Sequence, residues 1–157
     1  MKKYLIPGFG DCIIYTILLD LNGTINYYGK RPKFLKDYIE KLKTHFNIYI
    51  ASANTRGDLD RITGELGVEG LQLNSDLGEQ DAKLELVSKL DPETTIMIGN
   101  GNNDVKALKE ARIGIAVLGS EGASSKAIMN SDLCVSNVID AFKIIMDGRA
   151  MIATLRK

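Results

Sequence analysis

The feature that most constrains this chain is the run from Ile13 to Leu19, which is rich in β-branched residues and stops abruptly at Asp20. A run without polar alternation is what a strand covered on both faces of a parallel sheet requires. It predicts the central strand of the fold. Tyr4 to Ile6, followed by the turn Pro7-Gly8-Phe9-Gly10, predicts a short strand folding back on it as a hairpin. Beyond Gly23-Thr24, the segment Ile25 to Lys30 is expected to form a small hairpin or flap.

From there strand and helix patterns alternate. Phe34, Leu35, Tyr38, Ile39 and Leu42 recur at helical spacing before a strand over Ile48 to Ala51 that ends at Ser52. Leu59, Ile62 and Leu66 give a helix closed by Gly67, with a short strand near Leu71 to Leu73. Leu86, Val87 and Leu90 mark a helix stopped by Asp91-Pro92, and Thr95 to Ile98 is a strand ending in Gly99. Val105, Leu108 and Ala111 give another helix, and Ile113 to Val117 and Leu133 to Val135 the last strands. The pattern predicts an α/β chain, a doubly wound Rossmann-like domain with a parallel sheet, whose ligands bind at the carboxyl ends of the strands. No repeat, low-complexity tract or linker divides the sequence, so residues 1–157 are expected to form one domain.

Composition narrows the function. Twenty basic residues balance twenty acidic ones, so no global field draws the chain to nucleic acid or an anionic membrane. Cys12 and Cys134 form no CxxC pair and lack a histidine cluster, which argues against zinc or a disulfide framework and suits a cytoplasmic setting. No segment reaches the roughly 20 uninterrupted apolar residues of a membrane helix, and the start MKKYLIPGFG lacks the apolar stretch of a signal peptide. His45, the only histidine, sits near a helix end and has no catalytic role in this reading.

Polar residues collect where the predicted strands end: Asp20 and Asn22, then Ser52, then Asn100 to Asp104. If those strands are neighbours, the three groups meet at one rim. Asp20-Leu-Asn-Gly-Thr24 resembles the DxDGT nucleophile motif of the haloacid dehalogenase superfamily, and Ser52 is similar to its second-motif hydroxyl. Gly99-Asn-Gly-Asn-Asn-Asp104, followed by Val-Lys-Ala-Leu, resembles its GDGxNDxxAL motif in the version of P-type ATPase phosphorylation domains. Gly114-Ile-Ala-Val and Ala153-Thr-Leu-Arg156 are similar to the small soluble P-type-ATPase-like members, so the resemblance covers nearly the whole chain.

The resemblance implies a magnesium-dependent, phosphatase-like hydrolase acting through an aspartyl-phosphate on Asp20, in which the protein positions groups and neutralises charge. It implies phosphoryl contacts from Ser52, Ala53, Gly23 and Lys83, and Mg2+ ligation by Asp20, the Asn22 carbonyl and Asn100, with Asp104 acting through water. Asn103 is assigned to holding the loop. Lys83 is preferred over Lys89 because it shares a helical stripe with Val87 and Leu90. Two positions depart from the pattern. Asn100 stands where the family carries an aspartate ligand, and Asn22 where its phosphatases carry an acid-base aspartate, so weak activity and a preference for good leaving groups are expected. The alternative is a catalytically weak or inactive phosphate-binding or regulatory module.

Ordinary uses exist for each residue, such as turns and caps for Asp20, Ser52 and Gly99 to Asn103. The loop Gly119 to Ser125 is read as a strand-to-helix connection. With 31 residues between Asp20 and Ser52 and 30 between Ser52 and Lys83, there is no room for a cap domain. The rim is therefore expected to be open, covered by a macromolecular substrate or by a homo-oligomer partner. Substrates in this reading are phosphorylated small molecules or phosphoproteins.

Overall fold

The computed structural model describes residues 1–54, 57–74 and 76–157. The first strands, β1 (Lys2–Ile6) and β2 (Gly10–Ile14), form an antiparallel hairpin with Ile6 opposite Gly10. Period-two alternation buries Tyr4, Ile6, Cys12 and Ile14 and leaves Lys3, Leu5, Asp11 and Ile13 outside. The central strand β3 (Thr16–Asp20) is buried at every position.

Here the sequence reading needs a correction. The apolar run is not one strand: it breaks at Tyr15, and the hairpin is a separate two-stranded sheet. The cause is backbone bonding. Tyr15 N–H donates to the Thr94 carbonyl at 3.0 Å and Tyr15 C=O accepts from Asn47 N–H at 2.9 Å, which turns the chain between the two sheets. The flap is also smaller than a hairpin, being two isolated bridges, Asn22 with Asn26 and Tyr27 with Lys30.

The rest alternates: α1 (Leu35–Lys43), β4 (Asn47–Ser52), α2 (Leu59–Leu66), β5 (Glu69–Gln72), α3 (Glu79–Lys89), β6 (Thr95–Gly99), α4 (Val105–Glu110), β7 (Ile113–Val117), α5 (Ser125–Met129) and β8 (Leu133–Val135). Two further helices, α6 (Val138–Asp147) and α7 (Arg149–Leu155), were not read from the sequence. Their signal is present, with Val138, Ala141, Phe142 and Ile145 at helical spacing after the N-cap Asn137.

The second sheet has six parallel strands in the order β5-β4-β3-β6-β7-β8. The chain winds outward from β3 to β5, returns to β6 and winds outward again, so the switch point lies between β3 and β6. Strand parity assigns the layers. Ile17 and Leu19, with Ile48, Ile50, Ile96 and Ile98, face a core closed by α1, α2, α6, α7 and the hairpin. Leu18, Ala51 and Met97 face a smaller core closed by α3, α4 and α5. Asp20 shares the parity of Leu18, so its side chain leaves the strand on the α3–α4 side. Among the described residues, no helix is long and apolar enough to cross a membrane.

Candidate active site

Asp20 ends β3, and Asp104 closes the short 3-10 turn Asn102–Asp104 that follows β6, so both carboxylates stand at the switch point. Lys83 reaches them from α3. Its Nζ lies 2.5 Å from Asp20 Oδ1 and 2.5 Å from Asp104 Oδ1, and the side chain is 1% exposed. A lysine is almost never so buried unless paired. Lys89 instead points outward and pairs with Glu85 on the helix surface.

The remaining carboxylate oxygens are also engaged. Asp104 Oδ2 accepts the N–H groups of Asn100 and Gly101, each at 2.9 Å, and so folds the acidic loop around itself. Gly99 permits this, because a Cβ there would collide with the Asp104 carboxylate. Asp20 Oδ2 accepts from Thr24 Oγ1 at 3.1 Å. The same hydroxyl lies 3.3 Å from Asn100 Oδ1. Gly23, with φ of 83°, lets the two loops close up, since a Cβ would strike the Asn100 amide.

Two carboxylates sharing one ammonium leave the buried cluster net negative when both are ionised. Burial, and then the charge of Asp104, push the Asp20 carboxyl up to about 7 against the opposing pull of Lys83 and Thr24. Burial works to lower the Lys83 ammonium, but the two carboxylates outweigh it and hold it above the usual lysine range.

The donor set suits a small hard cation. Thr24 has one hydroxyl proton and two oxygens beside it, so either Asp20 Oδ2 or Asn100 Oδ1 lacks that donor. Facing oxygens short of a proton, on a net negative cluster, fit an oxygen-preferring divalent ion. Among the described residues no group of three or more His, Cys, Asp or Glu gathers for a metal, here or elsewhere, so the donors at this site are two carboxylates and amide oxygens.

Other expected site residues are placed as follows. Ser52 is buried at the end of β4, beside β3, and its Oγ accepts from Asn54 N–H at 3.0 Å, with Ala53 in the same turn. Gly23 N–H donates to the Asn26 carbonyl at 2.9 Å. Asn22 is exposed, and its Oδ1 accepts from Asn26 Nδ2 at 3.3 Å. Asn103 Nδ2 donates to Glu79 on α3 at 2.7 Å. Two further participants, Thr24 inside the first motif and the loop 118–124, have no strong signal in the sequence. That loop is stitched to Asn100, whose Nδ2 donates to the Gly122 carbonyl at 3.1 Å and whose C=O accepts from Ser124 N–H at 2.8 Å.

A concavity of about 450 Å³, whose lining includes Phe46, Ile48 and Tyr49 and the exposed Lys43, Asn47 and Glu69, lies where β4 and β5 begin, at the opposite end of the sheet. It gathers no comparable polar cluster, so the chemistry points to the rim.

No family model matches the chain. Residues of the chain are 43% identical over 82 positions to an uncharacterized protein of Methanocaldococcus jannaschii, covering 50% of this chain and 88% of that one. A soluble P-type ATPase-like phosphatase of the same organism is 28% identical over 156 residues, 94% of this chain but only 57% of its own length. Among solved structures, the cobalt-bound deoxy-D-mannose-octulosonate 8-phosphate phosphatase of Haemophilus influenzae superposes with a TM-score of 0.70 at 16% identity, covering 92% of this chain and 94% of that one. The corresponding enzyme of Moraxella catarrhalis, in complex with magnesium, phosphate and KDO, gives 0.67 at 23% identity, covering 91% and 94%. A phospho-aspartyl intermediate analogue of phosphoserine phosphatase gives 0.69 at 16% identity, covering 86% and 99%. The chain therefore has a haloacid dehalogenase-like fold, with the residues of its three motif segments brought together at the switch point.

Proposed function

We propose that the chain is a cytosolic, magnesium-dependent phosphatase-like hydrolase that passes a phosphoryl group through Asp20. The observation that carries this reading is the buried Lys83 held between Asp20 and Asp104 at the switch point of the sheet. A buried cation beside a strand-end carboxylate stores no evident structural benefit that an apolar pair would not supply, whereas it suits a phosphoryl site. Asp20 attacks phosphorus, the bond to the leaving oxygen breaks, and water later releases phosphate from phospho-Asp20. Lys83 binds the phosphoryl oxygens and offsets the charge of Asp20, with Ser52, Ala53 and Gly23 completing the cradle. Asp20, the Asn22 carbonyl and Asn100 are the ligands for Mg2+, with Asp104 beside them through water. Bound there, the ion neutralises charge on the transferring group.

Asn22 can neither donate nor accept a proton as an acid-base group. That help is typically worth about 10²- to 10⁴-fold. Acyl and aryl phosphates, which leave as stable anions, are therefore the favoured donors, and sugar or other alkyl phosphates react slowly. The open rim is covered by a second copy of the chain or by a phosphoprotein substrate.

The test is incubation with acetyl phosphate and magnesium, followed by intact mass and peptide mapping. Phosphorylation is expected on Asp20 and is absent in Asp20→Asn with the fold intact. Labelling that persists in that variant overturns the assignment. A second reading, a non-catalytic phosphate-binding module, is favoured by one observation: the amides of Asn22 and Asn100 both serve local hydrogen bonds, to Asn26 and Gly122. Phosphate binding without labelling of Asp20 selects it.

A further inference from the structure

An amide at position 22 leaves the hydrolysis of phospho-Asp20 without a base at that place, and residues 21–34 contain no Asp or Glu. Several carboxylates of the strand-end loops and of α3 are engaged elsewhere. Asp104 is held by Lys83 and two backbone N–H groups. Glu79 accepts from Asn103, Asp81 pairs with Lys106, and Asp58 lies 3.9 Å from Arg61.

Glu121 is placed differently. It sits in the loop between β7 and α5, and the residues around it touch both motif segments. Two positions earlier, Gly119 packs so closely on the Tyr27 ring that a Cβ would collide with it. Tyr27 Oη in turn donates to the Thr24 carbonyl at 2.5 Å. One position later, the Gly122 carbonyl accepts from Asn100 Nδ2 at 3.1 Å. The loop that carries Glu121 therefore ties the flap to the acidic loop, the two segments whose Thr24 and Asn100 side chains meet beside Asp20. Its charge is felt there: the Tyr27 phenol is pushed up to about 12, first by burial and then by Glu121. Glu121 is exposed and has no hydrogen-bond or ion-pair partner for its carboxylate among the described residues.

We propose that Glu121 is the general base that activates water against phospho-Asp20, an inference that rests on the reading of Asp20 as nucleophile. In-line displacement requires the water to approach phosphorus from the side away from Asp20, which is the open side of the rim. The Glu121 carboxylate takes one proton from that water as its oxygen bonds to phosphorus. The bond between phosphorus and the Asp20 oxygen breaks, its electron pair returns to the Asp20 carboxylate, and inorganic phosphate departs. Glu121 then releases its proton to solvent. The first half of the reaction does not use this group, which agrees with a preference for leaving groups that need no proton.

The experiment uses p-nitrophenyl phosphate with magnesium on the full chain, following nitrophenolate release and the level of phospho-Asp20 separately. In Glu121→Gln, labelling of Asp20 is expected at the rate of the unaltered chain, while breakdown of phospho-Asp20 slows by about 10²-fold or more. In Glu121→Ala, added formate is expected to restore breakdown in proportion to its concentration, which a merely structural role would not produce. Unchanged breakdown in Glu121→Gln, or slow breakdown that formate fails to restore in Glu121→Ala, overturns the role of Glu121 and leaves Asp20 as nucleophile. Failure of the unaltered chain to label at Asp20 overturns both.

Discussion

The two faces of the parallel sheet come from the same strands but are built by different rules. The face under α1, α2, α6, α7 and the hairpin is aliphatic and aromatic, with Ile17, Leu19, Ile50, Ile98, Phe142 and Ile145 fully buried. The face under α3, α4 and α5 is narrower and rich in alanine, with Ala51, Ala82, Ala107, Ala111 and Ala127, and it alone contains the buried Lys83 and Asp104. Short side chains let α3 and α4 lie near the strands, which brings a lysine on one and a turn before the other to the end of β3. The first face supplies stability through burial, at roughly 25 cal/mol per Å² of apolar surface. The second gives up part of that to hold charges away from water.

The sharpest way to break this contrast is Lys83→Met, which keeps the volume but removes the cation. Two buried carboxylates are then left with no counter-charge. Unfolding by urea at pH 8 is expected to show a loss of about 3–5 kcal/mol, the range for breaking a buried ion pair from one side. The loss shrinks at pH 5, where the carboxylates can be protonated. A variant as stable as the parent at pH 8 would show that the cluster is not dry.

Asp20→Asn tests the opposite sign. The Asp20 carboxyl is raised from 3.8 to about 7 by burial and by Asp104. The folded state therefore holds a proton more tightly than the unfolded chain. Its contribution to stability is fully present below about pH 4 and is lost as pH rises through about 7. The Lys83 ammonium, also raised, stays charged throughout that window and does not alter the sign. Asparagine removes this dependence and leaves one carboxylate for one ammonium. At pH 8 the metal-free variant is expected to be more stable than the parent, by on the order of 2 kcal/mol, with little difference at pH 4. Parallel stability curves for the two proteins across pH 4 to 8 would remove the charge account of this face.

The same contrast explains what was legible in the sequence. Short-range patterns carried the strands, α1 to α4 and the position of Asp20, because period and strand-end chemistry are local. The stripe of Lys83 with Val87 placed the lysine on the inner side of α3 for the same reason. The break at Tyr15 was hidden, because it is made by bonds to Thr94 and Asn47, distant in sequence. The hydrogen bonds of Asn100 and Asn22 were hidden too. Asn100 is tied to Gly122 and Thr24 across loops, and Asn22 to Asn26, contacts that depend on where the chain folds. The helices α6 and α7 were local and readable, but their pattern follows the last strand, after the alternation that guided the reading had ended.

Asn100→Asp gives the smallest expected effect and separates two uses of one side chain. The amide donates to the Gly122 carbonyl at 3.1 Å, which a carboxylate cannot do, and its oxygen lies 3.3 Å from the Thr24 hydroxyl. Without metal, the variant loses that bond and adds a third carboxylate near Asp20 and Asp104, so a melting experiment is expected to show it destabilised by about 1 kcal/mol. With metal, a charged ligand replaces a neutral one, and titration calorimetry is expected to show magnesium binding several-fold tighter. The two effects share a cause, since the repulsion that destabilises the metal-free form is what a divalent ion relieves. The stability difference should therefore shrink or reverse as magnesium is added. Equal or weaker magnesium affinity in Asn100→Asp would mean that position 100 serves only to hold the loop at Gly122.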